Sequence, residues 1–178
     1  IVTREVRMML GMPAPADDQE ANAPPPTLGV RTIQDLHWKN LMDAFTCTEC
    51  GRCSAVCPAH ITGKKLSPRK IMMDVRDTAE ISVRVRKDNG GEIPSLFDRI
   101  SREELFACTT CNACIDACPV SIDPVSIILG MRRYTVMEES SAPAAWNMMF
   151  NNLETSFAPW KFPASDRFKW AQEINKKG

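Results

Sequence analysis

Apolar residues in this chain recur at helical spacing, and each stretch opens on a cap. Thr32 stands ahead of Ile33, Leu36, Trp38, Leu41, Met42 and Phe45, so the spacing predicts one capped helix delivering the chain into Cys47. Ser67-Pro68 sets a cap before a proline at the first helical position, and Ile71, Met72, Val75 and Ala79 continue on one face. Ser101, with Glu104 three residues on, forms a capping-box pattern leading into Leu105, Phe106 and Cys108. Asp123-Pro124 opens a further helix through Ile127, Ile128, Met131 and Tyr134. No period-two stretch reaches the length a sheet would need, so the expected fold class is all-α.

The eight cysteines change the picture. They stand at Cys47, Cys50, Cys53 and Cys57, then at Cys108, Cys111, Cys114 and Cys118, the second set being the first displaced by 61. Pro58 and Pro119 share the offset, so both segments read CxxCxxCxxxCP and form an internal repeat. Disulfides, zinc and iron–sulfur clusters are the rival explanations. Thiols packed three to a turn are poorly placed to pair with one another, and zinc knuckles use two CxxC pairs separated by a loop. This spacing is the bacterial ferredoxin run, in which soft thiolates hold a cubane, and its double occurrence predicts two [4Fe–4S] clusters.

Three closely spaced thiolates can wrap one face of a cubane while local N–H groups point at its sulfurs; the fourth ligand must come from elsewhere. In two-cluster ferredoxins of this spacing the last cysteine of each run ligates the other cluster. That rule assigns Cys47, Cys50, Cys53 and Cys118 to one cluster, and Cys108, Cys111, Cys114 and Cys57 to the other. Each cluster then staples distant segments, so the apo chain is expected to be largely unfolded. The prolines after the fourth cysteines are expected to stop a short helix and turn the chain away. Small ferredoxins join their runs by a short β-containing link, whereas 50 residues with a long helical pattern separate these, the arrangement of a helical ferredoxin domain.

Composition adds exclusions. Lys plus Arg (22) balances Asp plus Glu (22), which leaves no electrostatic signature of nucleic-acid binding. Apolar runs such as Val125 to Met131 fall short of the roughly 18 residues a membrane span needs. The start at Ile1, with no charged-then-apolar leader, suggests a trimmed chain or a piece of a longer one. With eight thiols already filling eight ligand positions, His60 is expected either to donate a hydrogen bond behind the thiolates or to lie at the surface, and His37 to lie at the surface. Met72-Met73 and Met148-Met149 are expected to fill core gaps rather than bind metal. Arg52, Lys64, Lys65, Arg69 and Lys70 form a cationic cluster that either steers an acidic donor and tunes the nearby cluster or is a solvated helix face. Residues 1–30, with Pro24-Pro25-Pro26, read as an extended arm or linker; 31–140 as the two-cluster domain; 141–178, rich in Trp and Phe, as a helical connector or partner-docking tail, the alternative being a final helix packed on this domain.

The segments Thr46-Cys47-Thr48-Glu49-Cys50-Gly51-Arg52-Cys53, Cys57-Pro58-Ala59, Thr62-Gly63-Lys64 and Leu66-Ser67-Pro68-Arg69-Lys70 resemble the first cluster region of heterodisulfide reductase-type iron–sulfur proteins. Cys108-Thr109-Thr110-Cys111 through Cys118-Pro119-Val120 resembles the second. Asn151-Asn152-Leu153-Glu154, Pro159-Trp160 and Arg167-Phe168-Lys169-Trp170-Ala171 look like the connector that precedes CCG modules in long members. The resemblance implies an electron-transfer relay inside a larger oxidoreductase, with a flavoprotein, a CCG-type module or a membrane quinone-reactive subunit as partners. It further implies a place at the cytoplasmic face of a membrane, reached through a partner or a missing segment. The chain has no CCG motif, so the site that would reduce a heterodisulfide or meet quinone is not in these residues and no substrate-converting site is expected. Succinate dehydrogenase iron–sulfur subunits share the helical domain but add a CxxxxCxxC module that is absent here. A subunit of a flavin-linked dehydrogenase and a non-redox scaffold stapled by metal remain as alternatives.

Overall fold

The computed structural model describes residues 27–88 and 91–175. Most of the proline-rich segment from Met12 to Thr27 lies outside them. By internal contacts the chain divides into two units, Ile1–Glu139 and Ser140–Gly178.

The first unit is built twice over. A short helix α1 (Trp38–Thr46) ends on the first cysteine run, which contains α2 (Arg52–Ala55) and is followed by α3 (Pro58–Ile61) and the long α4 (Pro68–Asp88). The second half repeats the plan with α5 (Arg102–Ala107), α6 (Ala113–Asp116) inside the second run, and α7 (Pro124–Met137). The helix before each run packs on the long helix after it, α1 on α4 and α5 on α7, while α4 also meets α7 and α2 meets α6. No strand occurs among the described residues; the one extended contact is an isolated bridge between Thr32 and Ser95.

The caps form as the sequence predicts in the second half. The Ser101 hydroxyl accepts from the Glu104 N–H at 3.3 Å while the Glu104 carboxylate accepts from the Ser101 N–H at 2.9 Å. Asp123 accepts from the Ser126 N–H at 3.0 Å, with Pro124 at the first helical position. Ile71, Met72 and Val75 from α4 meet Ile127, Ile128 and Met131 from α7, each 1% exposed or less. Burial of such side chains is worth about 1.5–3 kcal/mol each, enough to fix the helix pair.

Two expectations are corrected. The helix predicted from Thr32 is broken: Ile33–Asp35 is a 3-10 turn, Leu36 is extended, and α1 begins at Trp38. The Asp35 carboxylate turns back to accept from the Thr32 N–H at 2.8 Å and hydroxyl at 3.0 Å, which closes the turn on itself. The buried face of α1 is also not its apolar one. Asn40, Asp43 and Ala44 point inward, whereas Trp38, Met42 and Phe45 are more than half exposed. Asn40 Nδ2 donates to Ser126 Oγ at 2.7 Å and Asp43 accepts from the Asp123 N–H at 3.2 Å, so polar bonds to the start of α7 set the rotation of α1.

Ahead of α1 a strap lies along α7. The Val30 N–H donates to the Gly130 carbonyl at 3.0 Å and the Leu28 N–H to Glu138 at 2.6 Å. Gly29 has φ +114°, and a Cβ there would stand 2.4 Å from the Tyr134 nitrogen, so only glycine permits this approach.

The second unit holds α8 (Ala144–Ser156), a reversal at Phe157 with φ 53°, a 3-10 turn over Ala164–Phe168, and α9 (Lys169–Asn175). Asn152 closes the reversal by donating to the Pro159 carbonyl at 3.1 Å. Phe157, Trp160, Phe168 and Trp170 are exposed. Among the described residues no helix is long and apolar enough to cross a membrane.

Candidate metal centre

Both runs are shaped by the same backbone path. Cys47 and Cys108 cap the ends of α1 and α5 in extended conformation. Two residues further on, Glu49 (φ 60°) and Thr110 (φ 55°) are left-handed, and so are Gly51 (φ 81°) and Asn112 (φ 62°). These positions keep the 61-residue offset, so the backbone repeats as well as the sequence. Left-handed conformation is costly for a β-branched residue such as Thr110, and such strain persists where a loop is held for a purpose. It curls the loop around the thiols: the Thr110 N–H donates to the Cys108 sulfur at 3.4 Å. Cys53 and Cys114 then stand on α2 and α6, which pack together.

Cys47, Cys50 and Cys53 line one recess together with Cys114 and Cys118 of the other run. Cys57 and Cys114 are buried, Cys50 and Cys111 exposed, the remaining four intermediate, and none forms a disulfide. Among the described residues no three His, Cys, Asp or Glu side chains are grouped to share a single metal ion. A cubane asks for four thiolates, one on each iron, and so for a wider ring than one ion does. The donor set fits soft-metal chemistry: five of the eight thiols, drawn from both runs, line this recess.

Burial pushes the Cys114 thiol up to about 11, with the charges of Cys108 and Cys53 adding to it. Burial likewise raises Cys53, beside Cys47 and Cys50. Cys111 is lowered, first by the Ala113 N–H and then by the Thr109 hydroxyl. That Cys53 acts on Cys114 is a sign of how near the two runs lie.

Charged side chains brace each run. Arg76 of α4 pairs with Glu49 at 2.7 Å. Lys70 binds Asp74 and Glu104, each at 2.8 Å, and Lys65 pairs with Glu103, so the segment after the first run is tied to the helix before the second. Burial works against the charge on both carboxylates. It prevails at Asp74, which sits above its ordinary value, whereas Lys70 and Ser101 hold Glu104 below its own. The reciprocal tie is Asp43, before the first run, bonded to the Asp123 N–H after the second. Arg132 of α7 donates to the carbonyls of Leu105 and Cys108 and lies over the Phe106 ring at 5.6 Å.

The expected surface residues divide. His60 and His37 are exposed, His37 at the N-cap of α1. Of the five cations near the first run, Lys65 and Lys70 are engaged in ion pairs, while Arg52 and Arg69 line the recess. Met72 is core, but Met148 is 67% exposed, which packing in a core does not explain. Pro58 opens α3 at its first position, so it starts a new turn as well as ending the old one. Sequence reasoning passed over Asp43, Glu104 as an ion-pair partner, Glu49–Arg76 and Arg132. Only the Gly51 and Asn112 pair, residues tolerant of positive φ at matching places in the repeat, offered a signal for the loop shape.

Residues 46–122 match the 4Fe-4S dicluster domain. The fold and the donor set therefore define a helical protein of two [4Fe–4S] clusters. Over 171 residues the chain is 32% identical to the EtfAB:quinone oxidoreductase of Syntrophomonas wolfei, covering 83% of this chain and 24% of that protein. Over 176 residues it is 31% identical to a probable membrane-anchored ferredoxin of Chromohalobacter salexigens, covering 89% of this chain and 26% of that one. One component of the dihydromethanophenazine:CoB–CoM heterodisulfide reductase of Methanosarcina mazei is 27% identical over 136 residues, 73% of this chain and 33% of that component. The chain spans about a quarter of the length of the first two. Components of heterodisulfide reductases are thus among the proteins it is similar to, as the motif resemblance implies.

Proposed function

We propose that this chain is an electron relay within a larger oxidoreductase. Cys47, Cys50, Cys53 and Cys118 hold one cluster in this reading, and Cys108, Cys111, Cys114 and Cys57 hold the other. The observation that carries it is the recess in which Cys118, with Cys114 beside it, joins the first three thiols of the opposite run; Cys114 is given to the second cluster because the spacing rule hands only the last cysteine of a run across. When bound, the clusters supply one-electron carriers set side by side. The chain's own residues hold and insulate them: the left-handed loops turn N–H groups inward, α2 against α6 sets the runs next to each other, and the Lys70–Glu104 and Asp43–Asp123 ties keep the halves in register.

Residues 31–140 act as the cluster-bearing domain, 1–30 as an arm and 141–178 as a docking tail. Trp38, Met42 and Phe45, exposed at helical spacing on α1, and the exposed Trp160, Phe168 and Trp170 of the tail support the presence of partners, since exposed large apolar side chains that cluster mark interaction surfaces. A relative named for EtfAB and quinone and another named for heterodisulfide reduction support a quinone-linked or thiol-linked complex, and the probable membrane-anchored ferredoxin supports association with a membrane, at its cytoplasmic face in this reading. Flavoprotein, CCG-type or quinone-reactive modules are the partners this reading expects.

Anaerobic iron and sulfide analysis with EPR of the dithionite-reduced protein tests it. Near eight irons per chain with magnetically interacting signals is the expected result. Bound zinc, or iron that dithionite cannot reduce, would leave a metal-stapled scaffold and overturn the relay.

A further inference from the structure

Arg132 breaks the repeat. Sixty-one residues before it stands Ile71, a fully buried core residue of α4, so the first half has an alkyl side chain where the second has a guanidinium. Arg132 reaches the carbonyl of Leu105 with Nε at 2.9 Å and also donates to the carbonyl of Cys108, the first thiol-bearing residue of the second run. Phe106 covers it at 5.6 Å from the ring centroid. Its hydrogen-bond partners are neutral carbonyl oxygens, so its full charge acts on its surroundings, and its partial burial limits screening by solvent. The cations around the first run are arranged differently. Arg76 is paired with the carboxylate of Glu49, and Arg52 and Arg69 are exposed to water and salt.

One-electron reduction of a cubane adds one unit of negative charge to it, and net local charge is among the factors that set cluster potential. A cation fixed on the backbone of a ligating cysteine favours the more negative state. We propose that Arg132 is a positioning residue for charge: it raises the reduction potential of the cluster held by Cys108, Cys111 and Cys114, and so draws electrons toward the second run. The inference rests on the two-cluster reading above. The electron is supplied by the partner redox module, and by dithionite in the test.

The test is a potentiometric titration followed by EPR on the cluster-loaded protein and on Arg132→Gln and Arg132→Lys. Cys50→Ser and Cys111→Ser identify which midpoint belongs to which run. Glutamine keeps a donor and loses the charge; lysine keeps the charge. Arg132→Gln should disfavour reduction at the Cys111 midpoint at least tenfold, a fall of about 59 mV for one electron. The Cys50 midpoint should stay in place, and Arg132→Lys should keep most of the wild-type value. If the glutamine variant does not load, Arg132→His asks the same question within one protein, because its midpoint should fall as the imidazole loses its charge between about pH 5.5 and 8. Two intact signals with unmoved midpoints, or equal movement of both, would overturn the role of Arg132 and leave the relay standing. Absence of two reducible clusters in the wild type would overturn the relay and the inference with it.

Discussion

The half around Cys47 to Cys57 and the half around Cys108 to Cys118 share cysteine spacing, left-handed loop positions and a helix packed on a helix, yet they are braced by different means. In the first, the charge of the loop itself is met by charge, Glu49 with Arg76, while Lys70 reaches both Asp74 of its own half and Glu104 of the other. In the second, the ion pair Arg102–Glu139 lies outside the cysteine loop, at which cationic Arg132 bonds to carbonyls, and the strap through Gly29 and Val30 seals α7. What the two halves keep in common is the demand of the metal; where they differ, each uses what its neighbouring helices offer. Removing the metal is therefore the largest perturbation. Stripping iron anaerobically with a chelator should abolish most of the far-ultraviolet helical signal of the first unit, because each cluster joins segments about 60 residues apart in the chain. A fully helical apo form would show that helix packing alone holds the halves together.

The strap sharpens the contrast at the next level. Gly29→Ala should destabilise by about 2–3 kcal/mol in chemical unfolding, since its methyl group meets backbone of α7 rather than a movable side chain. Glu104→Ala, which leaves Lys70 with one carboxylate partner and Ser101 without its reciprocal cap, should cost about 1.5–2.5 kcal/mol by the same measure. The smallest effect separates the loops. Thr110→Gly should stabilise by about 0.5–1 kcal/mol through relief of positive φ, whereas Glu49→Gly should gain nothing because it also loses Arg76. Equal gains from the two would mean that the ion pair contributes nothing to the first loop.

Much of this was legible in the residues. The 61-residue repeat, the caps at Ser67, Ser101 and Asp123 and the apolar faces of α4 and α7 follow from spacing alone, because local caps and helical periodicity are short-range signals. Thr32 misled because Asp35, three residues on, makes a closed turn as readily as a helix start. The face of α1 misled for a different reason: Trp38, Met42 and Phe45 form a sound amphipathic stripe, but Asn40 and Asp43 have partners on α7 that no local pattern reveals. Arg132 and Arg76 were hidden in the same way, as ordinary helix-surface cations until the fold supplied the carbonyls and the carboxylate they bind. Cysteine positions give the ligand types and the spacing rule already assigns Cys118 to the first run, while the fold is what sets Cys118, and Cys114 with it, on that run's recess.

Crossed ligation is the central claim, and single cysteine variants test it most directly. Loaded Cys118→Ala protein, compared by EPR with Cys50→Ala and Cys111→Ala, should lose or convert the same signal as Cys50→Ala and retain the one that Cys111→Ala loses. Loss of the Cys111 signal instead would mean that each run closes on its own cluster, and would contradict the account.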